Sequence, residues 1–393
     1  MNVSIFQTAG QLITGSGSVA KVGEEVAKLG GKKVLIITDK IIRETGLVNK
    51  VIEPLQEQAL TVDIIDDVIP EPPFEILEEM AAKIIDKGYD VFVGVGGGSA
   101  LDVTKLLAVM MTNTDDVRDL VGIDNIKNPG LPFILIPTTS GTGSEVTYNA
   151  IFTDNRDKVK KGIVSTYLLP NIAIVDAELT LTVPPAVTAA TGMDALVHAV
   201  ESYTAIRANE LTDGIALQAI KLISRSLRTA VHNGRDLKAR EDMAMGSLLA
   251  GISLGNAGVG AVHALAYPLG GKFKVPHGVA NSLLLPYVMK YNVVANLEKF
   301  AEVAKAMGEN VEGLSTRDAA ELAVHAMATL SQDVGIPTSI KEVGVSAEDI
   351  PSLAEEASKI DRLLSNNPRA LNVKDIEKIY TEAYGETKVA LEV

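Results

Sequence analysis

The sequence predicts an α/β domain with a parallel sheet, followed by an all-helical domain. Three observations carry this. Short, β-branched, near-continuously apolar runs recur through the first half. Amphipathic stretches separate them, and beyond Pro184-Pro185 only long helical patterns remain. Strands buried on both faces read as continuous apolar runs, and strand–helix alternation implies helices on both faces of a parallel sheet.

Taken in order, the strand-like runs are VLIIT (34–38), VDII (62–65), DVFVGV (90–95), FILIP (133–137) and IAIVD (172–176). Amphipathic stretches lie near 18–29, 41–59, 74–87 and 99–112. The second half carries helical patterns near 186–205, 209–231, 235–255, 293–306, 316–333 and 373–385. The pattern predicts a domain boundary at 183/184, giving domains 1–183 and 184–393. With 393 residues and 47% hydrophobic content, the chain has enough apolar material for two cores.

The formal net charge of −14 argues against nucleic acid or an anionic membrane as a non-specific partner. An anionic cofactor stays open, because backbone amides at helix ends hold phosphates. The absence of cysteine removes disulfides, thiolate nucleophiles and Cys-type zinc sites. Any metal must therefore be held by His and carboxylate, and the chain has five His. The N-terminus, MNVSIFQTAG, lacks the basic and apolar segments of a signal peptide, and no run of about 20 apolar residues appears; a cytoplasmic location is expected.

Gly96, Gly97, Gly98 and Ser99 follow the strand DVFVGV and open the helix ALDVTKLLAVM. Glycines allow close backbone approach, and a helix N-terminus presents free N–H groups, so a pyrophosphate suits this turn. The plain alternative is a tight turn capped by Ser99 or Asp102. The run is not GxGxxG. Asp39 ends the strand VLIIT, where a carboxylate suits ribose hydroxyls and repels a 2′-phosphate; a solvated turn Asp is the alternative. PTTSGTGSE (137–145) places five hydroxyls and two glycines at the end of FILIP, a composition suited to a nucleotide at the carboxyl edge of a sheet.

Asp194 and His198 lie four apart in TGMDALVHAVESY, so a helix would put both on one face. His263 and His277 come from AVHALAYPLGGKFKVPHG. One Asp and three His suit Fe²⁺ or Zn²⁺. Each His alone reads equally as a core or capping imidazole; the Gly-flanked, apolar contexts of these three set them apart from His232 and His325.

Together these residues resemble the iron-containing (group III) alcohol dehydrogenase family. The resemblance runs through GSG (15–17), TDK (38–40), GGGSxxD (96–102), PTTSGTGSE (137–145), AATGMDALVHAVESY (189–203), VHALAYPLGG (262–271), PHGVANSLLLPYVMKYN (276–292) and NPR (367–369). It implies a dehydroquinate synthase-like architecture, a dinucleotide-binding α/β domain and a helical domain with the active site in the cleft between. It implies metal ligation by Asp194, His198, His263 and His277, with Fe²⁺ expected and Zn²⁺ or another divalent ion as alternatives. It implies NAD contacts from Asp39, Gly96, Gly97, Gly98, Ser99, Thr138, Thr139 and Thr142, with Lys160 near the cofactor and Asp102 and Ser144 in the same motifs.

The resemblance also implies a homodimer or larger homo-oligomer. The expected reaction moves a hydride between NAD and a small primary alcohol, diol or aldehyde, with the metal acting as Lewis acid. Two positions depart from the family pattern. Tyr267 stands where many members have a histidine beside the substrate, which makes it a candidate for proton relay or for a pocket wall. Glu71, in PEPP, stands where many have Asn near the adenosine, and leans against NADP. Rival readings are a zinc-dependent glycerol-type dehydrogenase or a lyase on the same fold, and a metal- or nucleotide-binding protein without turnover. The lyase should carry Lys and Arg around its metal, and 189–203 has none.

Overall fold

The computed structural model describes residues 3–156 and 159–385. Contacts divide it into two compact units, one of Gln7–Val183 and one of the described residues from Pro184 onward, to which those before Gln7 also belong.

The first unit contains strands β1 (Gln11–Thr14), β2 (Lys33–Asp39), β3 (Thr61–Val68), β4 (Val91–Gly96), β5 (Gly122–Ile123), β6 (Phe133–Pro137), β7 (Asn149–Asp154), β8 (Val159–Val164) and β9 (Ile172–Val175). Its helices are α1 (Val22–Lys28), α2 (Lys40–Glu44), α3 (Asn49–Glu57), α4 (Phe74–Ile84) and α5 (Gly98–Met110). The main sheet has six parallel strands in the order β1-β9-β6-β4-β2-β3. Alternation along each strand separates two cores. Leu35, Ile37, Phe92, Phe133 and Leu135 face one side and pack with Leu77 and Met80 of α4 and Leu101 and Leu106 of α5. Val34, Ile36, Val93, Ile134 and Ile174 face the other and pack with Val22 and Val26 of α1 and Val51 and Leu55 of α3.

From β2 the chain moves outward to β3, then returns to place β4 on the other side of β2. The crossovers reverse there, which opens a crevice at the carboxyl ends of β2 and β4. Asp39 ends β2 and Gly96 ends β4. All five expected strands are present. The stretch 41–59 is two helices, α2 and α3, broken by a turn at 45–48. Two features escape the sequence pattern. β1 is a short, largely exposed edge strand, and β7 pairs antiparallel with β8 in a small second sheet whose strands carry Asn, Asp and Lys.

The second unit is helical: α6 (Pro185–Thr204), α7 (Glu210–His232), α8 (Leu237–Ala257), α9 (Ala261–Phe273), α10 (His277–Asn292), α11 (Leu297–Met307), α12 (Thr316–Asp333), α13 (Ile350–Ala357), α14 (Asp361–Leu364) and α15 (Val373–Tyr384). No strand occurs among its described residues. α6 is buried almost all round, and Met193, Leu196 and Val200 join Leu265, Leu284, Val288 and Tyr380 in one core. An all-buried helix must satisfy its polar side chains internally. Asn367 does part of this work for the neighbouring helices: its amide and that of Asn292 exchange two hydrogen bonds of 2.8 Å, and its Oδ1 accepts from the Ala261 backbone at 3.3 Å. The NPR motif thus ties the start of α9 to the end of α10. No single described helix is long and apolar enough to cross a membrane; α8 and α9 pass that test only as a pair, bent by 103°.

Candidate active site

Asp194 and His198 lie one turn apart on α6, His263 one residue inside the second position of α9, and His277 opens α10. The last two are fourteen positions apart in sequence, yet one ligand atom from each of Asp194, His263 and His277 lies within 4.8 Å of the others. Close approach of α10 to α6 makes this feasible. Position 278 must be glycine, because a Cβ there would lie 2.6 Å from the Ala190 carbonyl oxygen. His198 lies beside this trio but outside its 4.8 Å convergence: its ring stacks on His263 at 5.0 Å between centroids, and its Nε2 is 3.9 Å from Asp194 Oδ2.

The tautomer of His263 follows from its neighbour. Its Nδ1 is 2.6 Å from Glu201 Oε2, and a carboxylate only accepts, so Nδ1 carries the proton. The Nε2 lone pair then points into the cluster. Glu201 Oε1 also accepts from the Val262 backbone at 2.7 Å. Within the cluster, the Asn281 amide nitrogen faces Asp194 Oδ1 at 2.8 Å, His277 Nε2 at 3.0 Å and His263 Nε2 at 3.2 Å. Its two hydrogens cannot serve three acceptors, and its own Oδ1 is buried without a partner. Lone pairs converging in surplus over protons are what a divalent cation neutralises, so the donor set fits one. Burial pushes the Asp194 carboxyl up, but the three imidazoles and the Asn281 amide outweigh burial and hold it below its ordinary range.

Tyr267 follows His263 by one turn, and its ring centroid is 6.1 Å from that of His277. Burial raises its hydroxyl pKa; the Glu201 and Asp194 carboxylates add to this and Arg362 opposes it. His232 lies elsewhere, with its Nε2 2.9 Å from the Asp333 carbonyl, and His325 sits on α12.

In the first unit, the 96–99 turn sits at the crevice between β2 and β4. Gly96 has φ +153°, and a Cβ there would lie 2.7 Å from that of Ala100 and 3.4 Å from Asp39 Oδ2. Asp39 caps α2, with Oδ1 accepting from the Ile42 backbone at 3.0 Å. Thr139 and Thr142 lie against Gly97 and Gly98. The Thr138 backbone N–H donates to the Gly96 carbonyl at 2.9 Å. The hydroxyls of Thr38, Thr138 and Ser140 are buried without a partner, all at the carboxyl ends of β2 and β6. Such orphans in a native interior call for an explanation, and a polar ligand at this edge supplies one.

Asp102 and Ser144 are bonded to each other at 2.5 Å, and Asp102 also accepts from the Ile151 backbone at 3.0 Å and from Lys105 Nζ at 3.3 Å. Both side chains thereby brace α5 against the 137–145 loop and β7. Lys105 is fully buried and also donates to the Asn149 carbonyl at 2.9 Å. Burial pushes its ammonium pKa down against the pull of Asp102 and Glu145. Glu145, buried nearby, is pushed up to about 7 by desolvation, opposed by its backbone hydrogen bond and by Lys105. Lys160 Nζ contacts Glu71 Oε1 at 2.8 Å. Glu201, Asn281, Lys105 and Glu145 were not singled out from sequence. Glu201 had a signal: it falls at i+7 from Asp194 and i+3 from His198, on the face that carries both.

The model of the iron-containing alcohol dehydrogenase family matches residues 9–177, and that of the Fe-containing alcohol dehydrogenase C-terminal domain matches residues 188–384. The chain belongs to the iron-containing alcohol dehydrogenase family. It is 46% identical to 1,3-propanediol dehydrogenase of Citrobacter freundii over 372 residues, 94% of this chain and 96% of that protein. Its fold matches a crystal structure of 1,3-propanediol oxidoreductase with a TM-score of 0.95 at 44% identity, covering 97% of this chain and all of that one. It also matches sulfoacetaldehyde reductase from Bifidobacterium kashiwanohense in complex with NAD⁺, with a TM-score of 0.89 at 28% identity over 98% of this chain and 100% of that one. As a family member the chain is an oxidoreductase of alcohols and aldehydes, and its residues fit NAD and Fe²⁺ as cofactors.

Proposed function

We propose that Asp194, His198, His263 and His277 hold the catalytic iron of this dehydrogenase and that its substrate is a small primary alcohol or diol, or the matching aldehyde. The convergence of Asp194, His263 and His277 within 4.8 Å carries the reading. A single carboxylate among these residues would leave a bound divalent ion with net positive charge, and as a Lewis acid it would stabilise negative charge on a substrate oxygen. The 1,3-propanediol dehydrogenase relative supports a short diol as the first substrate to try.

The coenzyme reading assigns NAD to the crevice between β2 and β4. Gly96, Gly97, Gly98 and Ser99 offer the pyrophosphate backbone N–H groups at the N-terminus of α5. Asp39 accepts from the adenosine ribose. Thr138, Thr139 and Thr142 supply hydroxyls along the carboxyl edge of the sheet, Asp102 and Ser144 hold the loop in place, and Lys160 stands at the rim. NAD held there would supply the hydride acceptor for alcohol oxidation, and NADH the donor for aldehyde reduction. Glu201 holds the His263 proton at Nδ1, and Tyr267 lines the site beside His277.

The test is a substrate panel of short alcohols, diols and aldehydes with metal-stripped protein reloaded with Fe²⁺ or Zn²⁺, followed by nicotinamide absorbance in both directions. Metal-dependent turnover of short alcohols or diols is expected. In parallel, His263→Ala should lose its metal while keeping native circular dichroism. Full stoichiometric metal in that variant would remove His263 from the ligand set.

A further inference from the structure

Glu71 occupies a backbone conformation that few residues of its kind adopt. Its φ is +50°, in the left-handed region where Gly, Asn and Asp are at home. A glutamate held there invites the question of what its side chain does. The segment around it is fixed from two directions. The Glu71 backbone N–H donates to Ser99 Oγ at 3.3 Å, which ties it to the glycine turn. On the other side the Thr153 N–H donates to the Pro72 carbonyl at 3.1 Å, and Thr153 Oγ1 donates to the Glu71 carbonyl at 3.4 Å. Thr153 on β7 is the cross-strand partner of Lys160 on β8. Glu71 is thus delivered to Lys160, and the carboxylate meets the ammonium at 2.8 Å with side-chain exposures of 49% and 23%. The pair is open enough for a ligand to reach.

The Asp39 carboxylate lies beside Gly96, the Glu71 backbone is tied to Ser99 of the same turn, and the Glu71 carboxylate reaches Lys160. The cation at this rim, Lys160, is already neutralised by Glu71. We propose that Glu71 is a specificity-determining residue which, by pairing with Lys160, withholds that cation from a 2′-phosphate and so adds to the selection of NAD over NADP by Asp39. The inference rests on the coenzyme reading above. The rim as built carries a net charge of one negative unit from Asp39, Glu71 and Lys160. Neutralising Glu71 frees the ammonium and leaves the rim with none. A 2′-phosphate gains from both changes, whereas NAD has no phosphate there to respond.

The experiment titrates metal-loaded protein with NADH and with NADPH by calorimetry, comparing wild type, Glu71→Asn, Glu71→Gln, Lys160→Met and the Glu71→Asn/Lys160→Met double variant. Asn suits the left-handed backbone at 71, and Gln keeps the size of Glu, so two independent variants guard against misfolding. Glu71→Asn and Glu71→Gln should each tighten NADPH about tenfold, on the scale of one unit charge removed a few ångströms from an anion near a surface. NADH affinity should change by less than about threefold, and higher salt should shrink the NADPH gain. In the double variant most of the gain should vanish. An unchanged NADPH-to-NADH ratio in the single variants, or a gain that persists in full without Lys160, overturns the proposal. Tight NADH binding alongside an unchanged ratio overturns this inference alone; failure of the wild type to bind either coenzyme overturns the coenzyme reading with it.

Discussion

Glu201 and His263 meet at 2.6 Å, carboxylate to Nδ1, on two different helices of the same core. Glu201 stands on α6 and His263 on α9, so this contact sets both the tautomer of the imidazole and its rotation toward Asp194 and His277. A carboxylate behind a ligating histidine also raises its basicity. Glu201→Gln keeps an oxygen for the Val262 N–H but loses the charge. Its iron affinity, read by chelator competition, should fall about 10–100-fold, the range typical of lost partners of ligating groups. NADH affinity should stay unchanged. Wild-type iron affinity in the variant would show that Glu201 serves only packing.

Asp39 should set the larger part of coenzyme choice. Its Oδ2 lies against Gly96, at the edge where the adenosine ribose is assigned. Asp39→Gly should raise kcat/KM with NADP relative to NAD by one to two orders of magnitude, the scale of one removed like charge at a partly exposed contact. Comparable wild-type efficiency with both coenzymes would sink the assignment.

Tyr267 is expected to act as a wall. Its hydroxyl is held above its usual pKa, so it is poorly suited to take a proton at neutral pH. Tyr267→Phe should turn over within a few-fold of wild type, and Tyr267→Ala should accept longer or branched alcohols. A loss in Tyr267→Phe of roughly 10²–10⁴ in kcat, the mark of a missing acid/base group, would assign proton relay instead.

Glu145 should make stability depend on pH. Its folded pKa of about 7 lies above the ordinary 4.5, so between these values the folded state binds more protons than the unfolded one. Its contribution is therefore full below about 4.5 and is lost as pH rises through about 7. Glu145→Gln removes this titration. Denaturant unfolding at pH 5 and pH 8 should show wild type losing stability relative to the variant at the higher pH. A pH-independent difference would mean that Lys105 keeps Glu145 ionised throughout.

Several features were legible from residues alone. The β-branched, near-continuously apolar runs specified β2, β3, β4, β6 and β9, because burial on both faces leaves a continuous apolar signature. The glycine run at 96–98 followed by an amphipathic stretch marked the strand-to-helix turn, since both signals are local. Asp194 and His198 could be placed on one face of α6 because a single helix fixes their spacing.

What the tertiary structure alone decided are the relationships between elements. α9 and α10 contain Gly270, Gly271, Pro268 and Pro286 and bury apolar side chains on most sides, so no amphipathic period announces them. The turn that brings His277 back to His263 depends on Gly278 passing the α6 backbone, a contact 88 residues away that no local pattern encodes. β7 and β8 alternate apolar and polar residues too irregularly to stand out, yet their register delivers Lys160 to Glu71. Residue types and their local spacing determined which chemistry this chain carries. Packing determined which of those residues meet, because a metal set or an ion pair is a property of distances, and the sequence orders residues without setting the distances between elements.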